Sequence, residues 1–261
     1  MSDYYMKFGG IGRLFGVNAL ERIKSSKILV IGIGGVGSWV AESLARTGVG
    51  QIDLVDLDDL CVTNINRQSH ALINTVGQFK VDVMKQRIQL INPECVVNTH
   101  HCFISPKSIE TIFQETYDFI VDACDDFTNK AILIDYCYRN KLPLIVMGGA
   151  GGKIDPQMIR VTDLSFSQND RLLARLRKKL RQEFNFPDEK TELGIWSVWS
   201  FERAKYPTQS GCLSYRPPGF AKNMDCSEGF GSASFVTGAF AFAATSLVMK
   251  QLTQEYSVVE E

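Results

Sequence analysis

A glycine-rich turn between an apolar run and a helical pattern most strongly constrains the fold of this chain. The apolar run is Lys27–Gly32 (KILVIG), and the helical pattern covers Trp39–Thr47. Between them, Gly32-Ile33-Gly34-Gly35-Val36-Gly37 has the GxGxxG spacing. Such glycines allow a tight turn and a close approach of backbone to phosphate, and the helix N-terminus adds free N–H groups and a favourable dipole. The candidate nucleotide-binding glycines are Gly32, Gly34, Gly35 and Gly37.

Strand-like and helix-like patterns alternate along the chain up to residue 162. Further strands are predicted over Gln51–Asp56, Val96–His100, Asp118–Asp122, Pro143–Met147 and Met158–Thr162. Helices are predicted over Gln78–Leu90, Lys107–Gln114, Thr128–Arg139 and Asp170–Phe184, and a long C-terminal helix from about Ser232. This alternation indicates βαβ crossovers and a sheet covered on both faces. We therefore predict an α/β fold with a Rossmann-like, doubly wound, mostly parallel sheet and a C-terminal elaboration.

The chain is expected to form one domain. Its 261 residues suffice for one large α/β domain, and no Pro/Gly/Ser-rich linker interrupts them. We divide them into a nucleotide-binding core (10–162) and an elaboration (163–261) for substrate and dimer contacts. The uncharged stretch Gly229–Met249 is long enough to span a membrane, but serines and threonines dilute it. We expect a buried or interface helix there rather than stable membrane insertion.

Net charge and cysteine content limit the possible binding partners and the cellular compartment of the protein. The net charge of −1 offers no general attraction to nucleic acid, so RNA would have to bind a local patch. The seven cysteines include no CxxC pair, so a four-cysteine zinc site is not indicated. Cys61, Cys124 and Cys137 lie in or beside apolar runs and are expected in the core. Free thiols, and an N-terminus without an apolar signal segment, predict a cytoplasmic location.

The residues after the second strand indicate a triphosphate. Asp56 ends that strand, where an acidic residue meets a ribose hydroxyl in dinucleotide sites, so NAD is the default ligand. Asn64, Arg67 and Lys80 then supply amide, guanidinium and ammonium groups, which a triphosphate needs more than a dinucleotide does. Taken singly, each is better explained as a solvated surface residue, and only the three together favour a phosphate site. The same segment adds two further candidate ligands, Asp58 and Gln68.

The end of the fourth strand is a candidate metal site. Asp122 is expected at the carboxyl edge of the sheet, where ligands bind in open α/β folds. A carboxylate at that edge could hold Mg²⁺. Asp125 and Asp126 follow, and Asp126 is better explained as the N-cap of the next helix.

A basic helix is the candidate surface for nucleic acid. Six of the eleven residues in Arg171–Arg181 are Lys or Arg, while leucines form an apolar stripe at helical spacing. The opposite face would be strongly basic, with Arg175, Lys178 and Lys179 as candidate contacts to an RNA backbone. An ordinary solvated face is the alternative.

The chain resembles the adenylating superfamily that contains the ubiquitin-activating enzymes and the ThiF, MoeB and HesA proteins. The similarity rests on Leu14-Phe15-Gly16 through Arg67-Gln68, Lys80 and Asp122-Ala123-Cys124-Asp125. Finer details are similar to the branch of tRNA threonylcarbamoyladenosine dehydratases. These details are Ser38-Trp39, Asp59–Asn64, Ile91–Cys95, Gly148–Gly152, Ile154–Pro156 and Met224–Cys226.

The resemblance implies a homodimer that binds ATP and Mg²⁺. It assigns nucleotide binding to Gly34, Gly35 and Asp56, and phosphate contacts to Asn64, Arg67 and Lys80. It makes Asp122 the magnesium ligand. Arg13 occupies the place of an arginine that family members donate to the ATP of the neighbouring copy; a plain surface arginine is the alternative.

The resemblance also implies a reaction: ATP-dependent dehydration of threonylcarbamoyladenosine next to the anticodon of tRNA, through adenylation of its carboxylate. One alternative is an adenylyltransferase acting on the C-terminus of a small sulfur-carrier protein. Another is a nucleotide-binding accessory without activity, and a cysteine desulfurase or a sulfur acceptor is a candidate partner. The missing CxxC pairs and the basic helix favour the dehydratase, and the full set of Arg67, Lys80 and Asp122 disfavours an inactive accessory.

Overall fold

The computed structural model describes residues 3–188, 191–208, 210–216 and 231–255. Within these residues the strands are β1 (Lys27–Ile31), β2 (Gln51–Val55), β3 (Val96–His100), β4 (Phe119–Asp122), β5 (Leu144–Met147), β6 (Ile159–Asp163), β7 (Trp196–Ser200), β8 (Tyr206–Pro207) and β9 (Leu213–Ser214). The α-helices of the same ranges are α1 (Asp3–Phe15), α2 (Val17–Ser25), α3 (Gly37–Thr47), α4 (Lys80–Ile91), α5 (Pro106–Ile112), α6 (Phe127–Arg139), α7 (Arg171–Phe184) and α8 (Ser234–Thr253). The motif Met224–Cys226 and the start of the uncharged stretch lie outside the described residues.

The main sheet has seven strands in the order β3-β2-β1-β4-β5-β7-β6. Neighbouring strands run parallel except β6, which pairs antiparallel with β7 at one edge. The chain proceeds from β1 to β2 and β3 on one side, then returns to place β4 and β5 on the other. Such a reversal opens a crevice at the carboxyl ends of the strands on either side of it. The predicted α/β, mostly parallel fold is confirmed.

Alternate residues of the central strands enter two apolar layers. On β1, Ile28 and Val30 belong to the layer with α3, α4 and α8, while Leu29 and Ile31 belong to the layer with α5, α6 and α7. All four side chains are at most 2% exposed. A sheet covered on both faces requires this period of two, and each such side chain contributes roughly 1.5–3 kcal/mol by leaving water.

Helix α8 is long and apolar enough to cross a membrane by length and composition, but 56% of its most apolar window is buried within the structure. Phe240, Ala241 and Ala244 pack in the layer that α8 shares with α3. The helix begins at Ser234, close to the predicted start, and it packs as a core helix. Burial explains why α8 carries no charged residue before Lys250, without a lipid environment.

Five elements of the described residues were not predicted: α1, α2, β7, β8 and β9. Strand β7 lies between β5 and β6, and its sequence WSVWS interrupts an apolar pattern with serines. Ser197 and Ser200 are nevertheless fully buried, and the Ser197 hydroxyl donates to the backbone oxygen of Thr162. Hydrogen-bonded hydroxyls can be buried at small cost. The strand was not predicted because its serines made the segment look too polar for a buried strand.

One core assignment was wrong. Cys137 is buried and Cys124 is half-buried, but Cys61 is exposed. Cys61 precedes a short 3-10 turn, Val62–Asn64, on the surface segment after β2. The apolar neighbours of Cys61 belong to that segment, not to a strand.

A buried carboxylate joins three elements on one face of the sheet. Asp53 on β2 accepts hydrogen bonds from Gln51 Nε2 (3.0 Å), Asn98 Nδ2 (3.0 Å) and the Tyr117 hydroxyl (2.9 Å), and His100 Nε2 lies 3.4 Å away. Burial alone would raise the pKa of Asp53. The hydrogen bonds from His100, Gln51, Tyr117 and Asn98 outweigh burial, and the pKa is lowered.

We predict that Asp53→Asn destabilises the fold by about 1–3 kcal/mol at neutral pH, because buried donors lose a charged acceptor. Since the folded-state pKa of Asp53 is lowered, its contribution is present above the unfolded value of about 3.9 and is lost as the pH falls through the folded value. Urea unfolding across this range should show the difference from wild type shrinking below about pH 4. Asp3→Asn, at an exposed position of α1, is the control. A stability difference between Asp53→Asn and wild type that grows as the pH falls would contradict a stabilising role of the ionised Asp53.

Candidate functional site

The glycine turn after β1 has two packed glycines and one that faces open space. Gly32 has a positive φ of 82°, and a Cβ there would lie 2.6 Å from the backbone nitrogen of Cys124. A Cβ at Gly37 would overlap the carbonyl oxygen of Gly32. A Cβ at Gly34 would meet nothing within 4 Å. Gly32 and Gly37 therefore shape the turn, while Gly34 is where another molecule can approach the backbone.

Asp56 follows β2 directly and braces the turn. Its Oδ2 accepts from the backbone nitrogen of Ile33 (2.7 Å), and its Oδ1 accepts from that of Asp58 (2.9 Å). Burial raises the pKa of Asp56, while Lys80 and these two backbone N–H groups act against that rise. A carboxylate has about four lone-pair sites, so acceptors remain for a ribose hydroxyl. Asp56 lies where it was predicted and also has a structural role.

Lys80 begins α4 and points its ammonium to the same edge. Its Nζ donates to Asp58 Oδ2 at 2.6 Å. The Lys80 side chain is only 9% exposed, whereas that of Asp58 is 52% exposed. The backbone nitrogen of Lys80 also donates to the Asp58 carbonyl oxygen (3.0 Å). Asp58 was predicted as a nucleotide ligand, and the structure uses it to orient Lys80.

Arg67 lies against the glycine turn. Its aliphatic carbons would be 3.3 Å from a Cβ at Gly35, and its guanidinium donates to the backbone oxygen of Thr63 (2.8 Å). Trp39 Nε1 on α3 and Thr237 Oγ1 on α8 donate to the backbone oxygen of Arg67, at 3.0 and 3.4 Å. Two helices therefore hold this arginine beside the turn.

Asn64 and Gln68 are buried on the same segment. Asn64 Oδ1 accepts from the backbone nitrogen of Cys61 (3.1 Å), which caps the 3-10 turn and leaves the amide N–H groups available. Gln68 Oε1 has no hydrogen-bond partner among the described residues. A buried acceptor without a donor costs about 1–3 kcal/mol, so a water or ligand donor is expected there.

The expectation that Asp122 binds the metal does not fit its surroundings. Asp122 and Lys130 are both fully buried, and Lys130 Nζ donates to Asp122 Oδ2 at 2.7 Å. Asp122 Oδ1 accepts from the backbone nitrogen (3.1 Å) and the Sγ (2.9 Å) of Cys124. Burial alone would lower the pKa of Lys130, but the adjacent Asp122 raises it. The Asp122 carboxylate is fully buried and accepts three hydrogen bonds, so it has no open face for a metal ion and instead supports the loop around the site.

Asp125 is the carboxylate of this loop that remains for a metal. It is exposed. Asp126 accepts from the backbone nitrogen of Asn129 (2.7 Å) as the N-cap of α6, as predicted. Sequence reasoning missed the pairing of Lys130 with Asp122. The signals were a lysine on the apolar face of α6, and an aspartate that still belongs to a fully buried strand.

Arg13 is separate from these residues. It lies in the last turn of α1, is exposed, and its guanidinium lies beside Gly9 and Gly10 of its own helix. Among the described residues, Arg13 forms no ion pair or hydrogen bond with the nucleotide site of its own chain. Its role across a dimer stays a prediction.

Helix α7 presents the predicted basic face. Leu173, Leu176 and Leu180 are buried, whereas Arg175 and Lys178 are exposed. The Arg175 guanidinium and the Lys179 ammonium lie 4.9 and 5.7 Å from the ring centroid of Phe127. Lys179 also pairs with Glu183.

Asp170 fixes the start of α7 at the carboxyl edge of the sheet. Its Oδ1 accepts from the backbone nitrogen of Leu173 (3.0 Å) as an N-cap. Its Oδ2 accepts from the backbone nitrogen of Gly149 (2.8 Å), in the loop after β5. The basic face therefore begins on the same edge as the glycine turn.

Comparison with known proteins gives consistent matches along the chain. The model of the ThiF family matches residues 10–259. The tRNA threonylcarbamoyladenosine dehydratase of Haemophilus influenzae is 44% identical over 259 residues, which cover 98% of this chain and 97% of the relative. The protein of that name from Escherichia coli K12 is 47% identical over 249 residues, which cover 94% of this chain and 93% of the relative.

The fold agrees as well. The crystal structure of E. coli tRNA N6-threonylcarbamoyladenosine dehydratase in complex with ATP matches with a TM-score of 0.87 at 44% identity, and the match covers 97% of each chain. Because the family and its relatives match nearly the whole sequence and one shares the fold throughout, this chain belongs to the ThiF family.

Proposed function

We propose that this chain dehydrates threonylcarbamoyladenosine in tRNA in an ATP-dependent reaction that activates the threonyl carboxylate as an acyl-adenylate. The observation that carries the proposal is that the open backbone at Gly34, the Asp56 carboxylate, and the cations Lys80 and Arg67 meet at one edge of the sheet. Relatives that align with almost all of the chain bear the name of this dehydratase, and one was solved with ATP.

The proposed chemistry has two steps. A threonyl carboxylate oxygen attacks the α-phosphorus of ATP, and pyrophosphate leaves with the electron pair of the broken P–O bond. A nitrogen or oxygen of the carbamoyl group then attacks the activated carbonyl carbon, a carbamoyl N–H gives up its proton, and AMP leaves with the electron pair of the broken C–O bond. The lost carboxylate oxygen leaves in AMP, so the nucleoside loses the elements of one water while ATP is split.

The residues of the site have distinct tasks in this reaction. Backbone at Gly34 and Gly35 lies along the phosphates, and Asp56 accepts from the ribose. Arg67 and Lys80 neutralise charge that builds on the phosphate oxygens, and the Asn64 amide donates to them. Preorganised cations of this kind stabilise the transition state of phosphoryl chemistry without reorganising during the step.

We propose that Asp125 holds Mg²⁺ together with the phosphate oxygens. Mg²⁺ in nucleotide sites is commonly bound by one or two carboxylates and the substrate phosphates. The exposed position of Asp125, three residues beyond the buried end of β4, fits such a ligand set. When bound, the ion would supply further charge neutralisation at the phosphates.

The tRNA would lie along α7. Arg175 and Lys178 extend from its exposed face, Lys179 lies beside them, and the helix starts at the edge that holds the nucleotide site. Contacts from these cations to phosphates would supply affinity that falls with salt. A tRNA substrate and free thiols at Cys61 and Cys212 support a cytoplasmic enzyme.

We also propose that the chain acts as a homodimer. Exposed apolar side chains flank the nucleotide site on the segment after β2 and on α8, namely Val62, Ile65, Leu72, Ile73, Val76, Phe79, Phe235 and Phe242. Asn66 Nδ2 donates to the backbone oxygen of Ser232 (2.8 Å), which joins the segment to the residues just before α8. Such a patch marks an interface, and two-fold symmetry could bring Arg13 of one copy to the ATP of the other.

The first prediction concerns the reaction itself. Incubation of modified tRNA with the protein, ATP and Mg²⁺ should yield a nucleoside lighter by one water in mass spectrometry. Arg67→Ala should lower the rate by about 10²–10³ because one phosphate-neutralising group is lost. Arg139→Ala, at the far end of α6, is the matched control and should retain the wild-type rate.

Adenylation of a sulfur-carrier protein with no change in tRNA would instead support the alternative function, in which a sulfur-transfer partner takes the place of tRNA. Full activity in Arg67→Ala would remove that residue from the site.

The second prediction separates the two aspartates after β4. Asp125→Asn should keep the wild-type urea unfolding curve and require more Mg²⁺ for activity, because a metal ligand is weakened. Asp122→Asn should cost about 3–5 kcal/mol of stability, because Lys130 is left buried without its counter-ion. If Asp122→Asn has wild-type stability but requires more Mg²⁺ for activity, Asp122 and not Asp125 is the metal ligand.

The third prediction tests the shared site. Arg13→Ala and Lys80→Ala proteins should each be inactive alone. Mixed under conditions that allow subunit exchange, they should regain up to about a quarter of the wild-type rate, because half of the dimers are mixed and each has one intact site. Two Lys80→Ala preparations mixed with each other are the control. Activity of Arg13→Ala alone would assign Arg13 to the surface.

A further inference from the structure

We infer that the β8–β9 hairpin carries a base-stacking site for RNA, in which the exposed ring of Tyr215, backed by Arg203, receives an unpaired base. The inference rests on the proposed function for the class of ligand. It adds a contact of a different kind from the phosphate contacts assigned to α7.

Arginine–aromatic pairs concentrate on one surface of the protein. Within the described residues, four guanidinium groups lie 4.9–5.5 Å from an aromatic ring centroid. The pairs are Arg160 with Phe201, Arg171 with Tyr206, Arg175 with Phe127, and Arg203 with Tyr215. Interleaved guanidinium groups and rings are the surface chemistry that single-stranded nucleic acid contacts use.

Direct contacts place the hairpin beside the nucleotide edge. The backbone nitrogen of Lys205, just before β8, donates to the backbone oxygen of Gly152 (2.8 Å) in the loop after β5. Arg171, the first residue of α7, lies over the ring of Tyr206 on β8 at 5.5 Å. The hairpin therefore continues the basic face of α7 along the carboxyl edge of the sheet.

The rings of these pairs differ in exposure. Tyr206 is buried, and Phe127 and Phe201 are half-buried, so they act as packing partners for their arginines. Tyr215 is 51% exposed with Arg203 at 5.0 Å from its centroid. A half-exposed ring with a guanidinium beside it is the kind of platform on which an unpaired base stacks.

The described residues hold no carboxylate partner for four arginines of this surface. Arg171, Arg175, Arg203 and Arg216 are exposed, and none of them forms an ion pair with a carboxylate among the described residues. Uncompensated cations around an exposed ring complement a polyanion that also presents unpaired bases. A loop of RNA presents bases that are free to leave their own stack, which a duplex does not.

The test measures the Kd of tRNA carrying threonylcarbamoyladenosine at several salt concentrations. Tyr215→Ala should raise Kd by about fivefold to a hundredfold, the effect of losing one stacked base. Tyr215→Phe should bind as wild type because the ring remains. The slope of log Kd against log salt should not change in Tyr215→Ala, since no cation is removed, whereas Arg175→Gln should reduce it by about one unit.

Two controls make the outcome specific. Phe103→Ala removes an aromatic ring of similar exposure (53%) from the loop after β3 and should leave Kd unchanged. Thermal unfolding of all variants should match wild type, since these side chains are on the surface. An unchanged Kd in Tyr215→Ala, or an equal loss in Tyr215→Phe, would overturn the stacking site.

The two proposals fail separately. If wild-type protein binds tRNA through Tyr215 but forms no dehydrated nucleoside, the proposed reaction is wrong and the RNA contact stands. If the reaction occurs and Tyr215→Ala binds tRNA normally, the reaction stands and the hairpin is not an RNA contact.

Discussion

The buried ion pair between Asp122 and Lys130 is the interaction on which the shape of the site depends. Both side chains are fully buried, and removing two charges from water costs several kcal/mol per ion unless they are paired and hydrogen-bonded. Asp122 also accepts a hydrogen bond from the backbone nitrogen of Cys124, and this nitrogen would lie only 2.6 Å from a Cβ at Gly32. The pair therefore fixes the wall against which the glycine turn packs, and Gly37 closes the turn against Gly32.

Much of the site could be predicted from the sequence, because several candidate residues lie directly at the ends of predicted strands or the starts of predicted helices. Asp56 follows a strand, Lys80 starts a helix, and parallel topology brings both to the glycine turn. Asp122 also lies at the carboxyl end of a strand. Its role, however, depends on Lys130 of the following helix α6, and the sequence pattern does not show that the Lys130 side chain points into the core. Strand β7 was missed for a related reason: its buried Ser197 donates to the neighbouring strand β6, and its buried Ser200 accepts from a backbone N–H just after β7.

The C-terminal elaboration acts on the nucleotide site from two directions. Thr237 at the start of α8 contacts both the backbone oxygen of Arg67 and the space beside Gly35, so α8 supports the phosphate turn. Asp170 ties α7 to the loop after β5 on the other side. Under the proposed function the carboxyl edge of the sheet has two parts: the ends of β1, β2 and β4 would contact the phosphates, and a long substrate would follow β5, α7 and the hairpin.

Two lysine–aspartate pairs have nearly equal N–O distances but differ in the exposure of the aspartate, and this difference separates a structural pair from one that can contact a ligand. Lys80–Asp58 measures 2.6 Å and Lys130–Asp122 measures 2.7 Å. Asp58 is about half exposed, so water screens its charge and the pair contributes little to stability. The ammonium of Lys80 can therefore be shared with an arriving phosphate at small cost, and Asp58 keeps it oriented until then. Lys130 has no such freedom, because opening its pair would leave two unsolvated charges. The exposure of the carboxylate decides which lysine serves the nucleotide and which holds the loop around it.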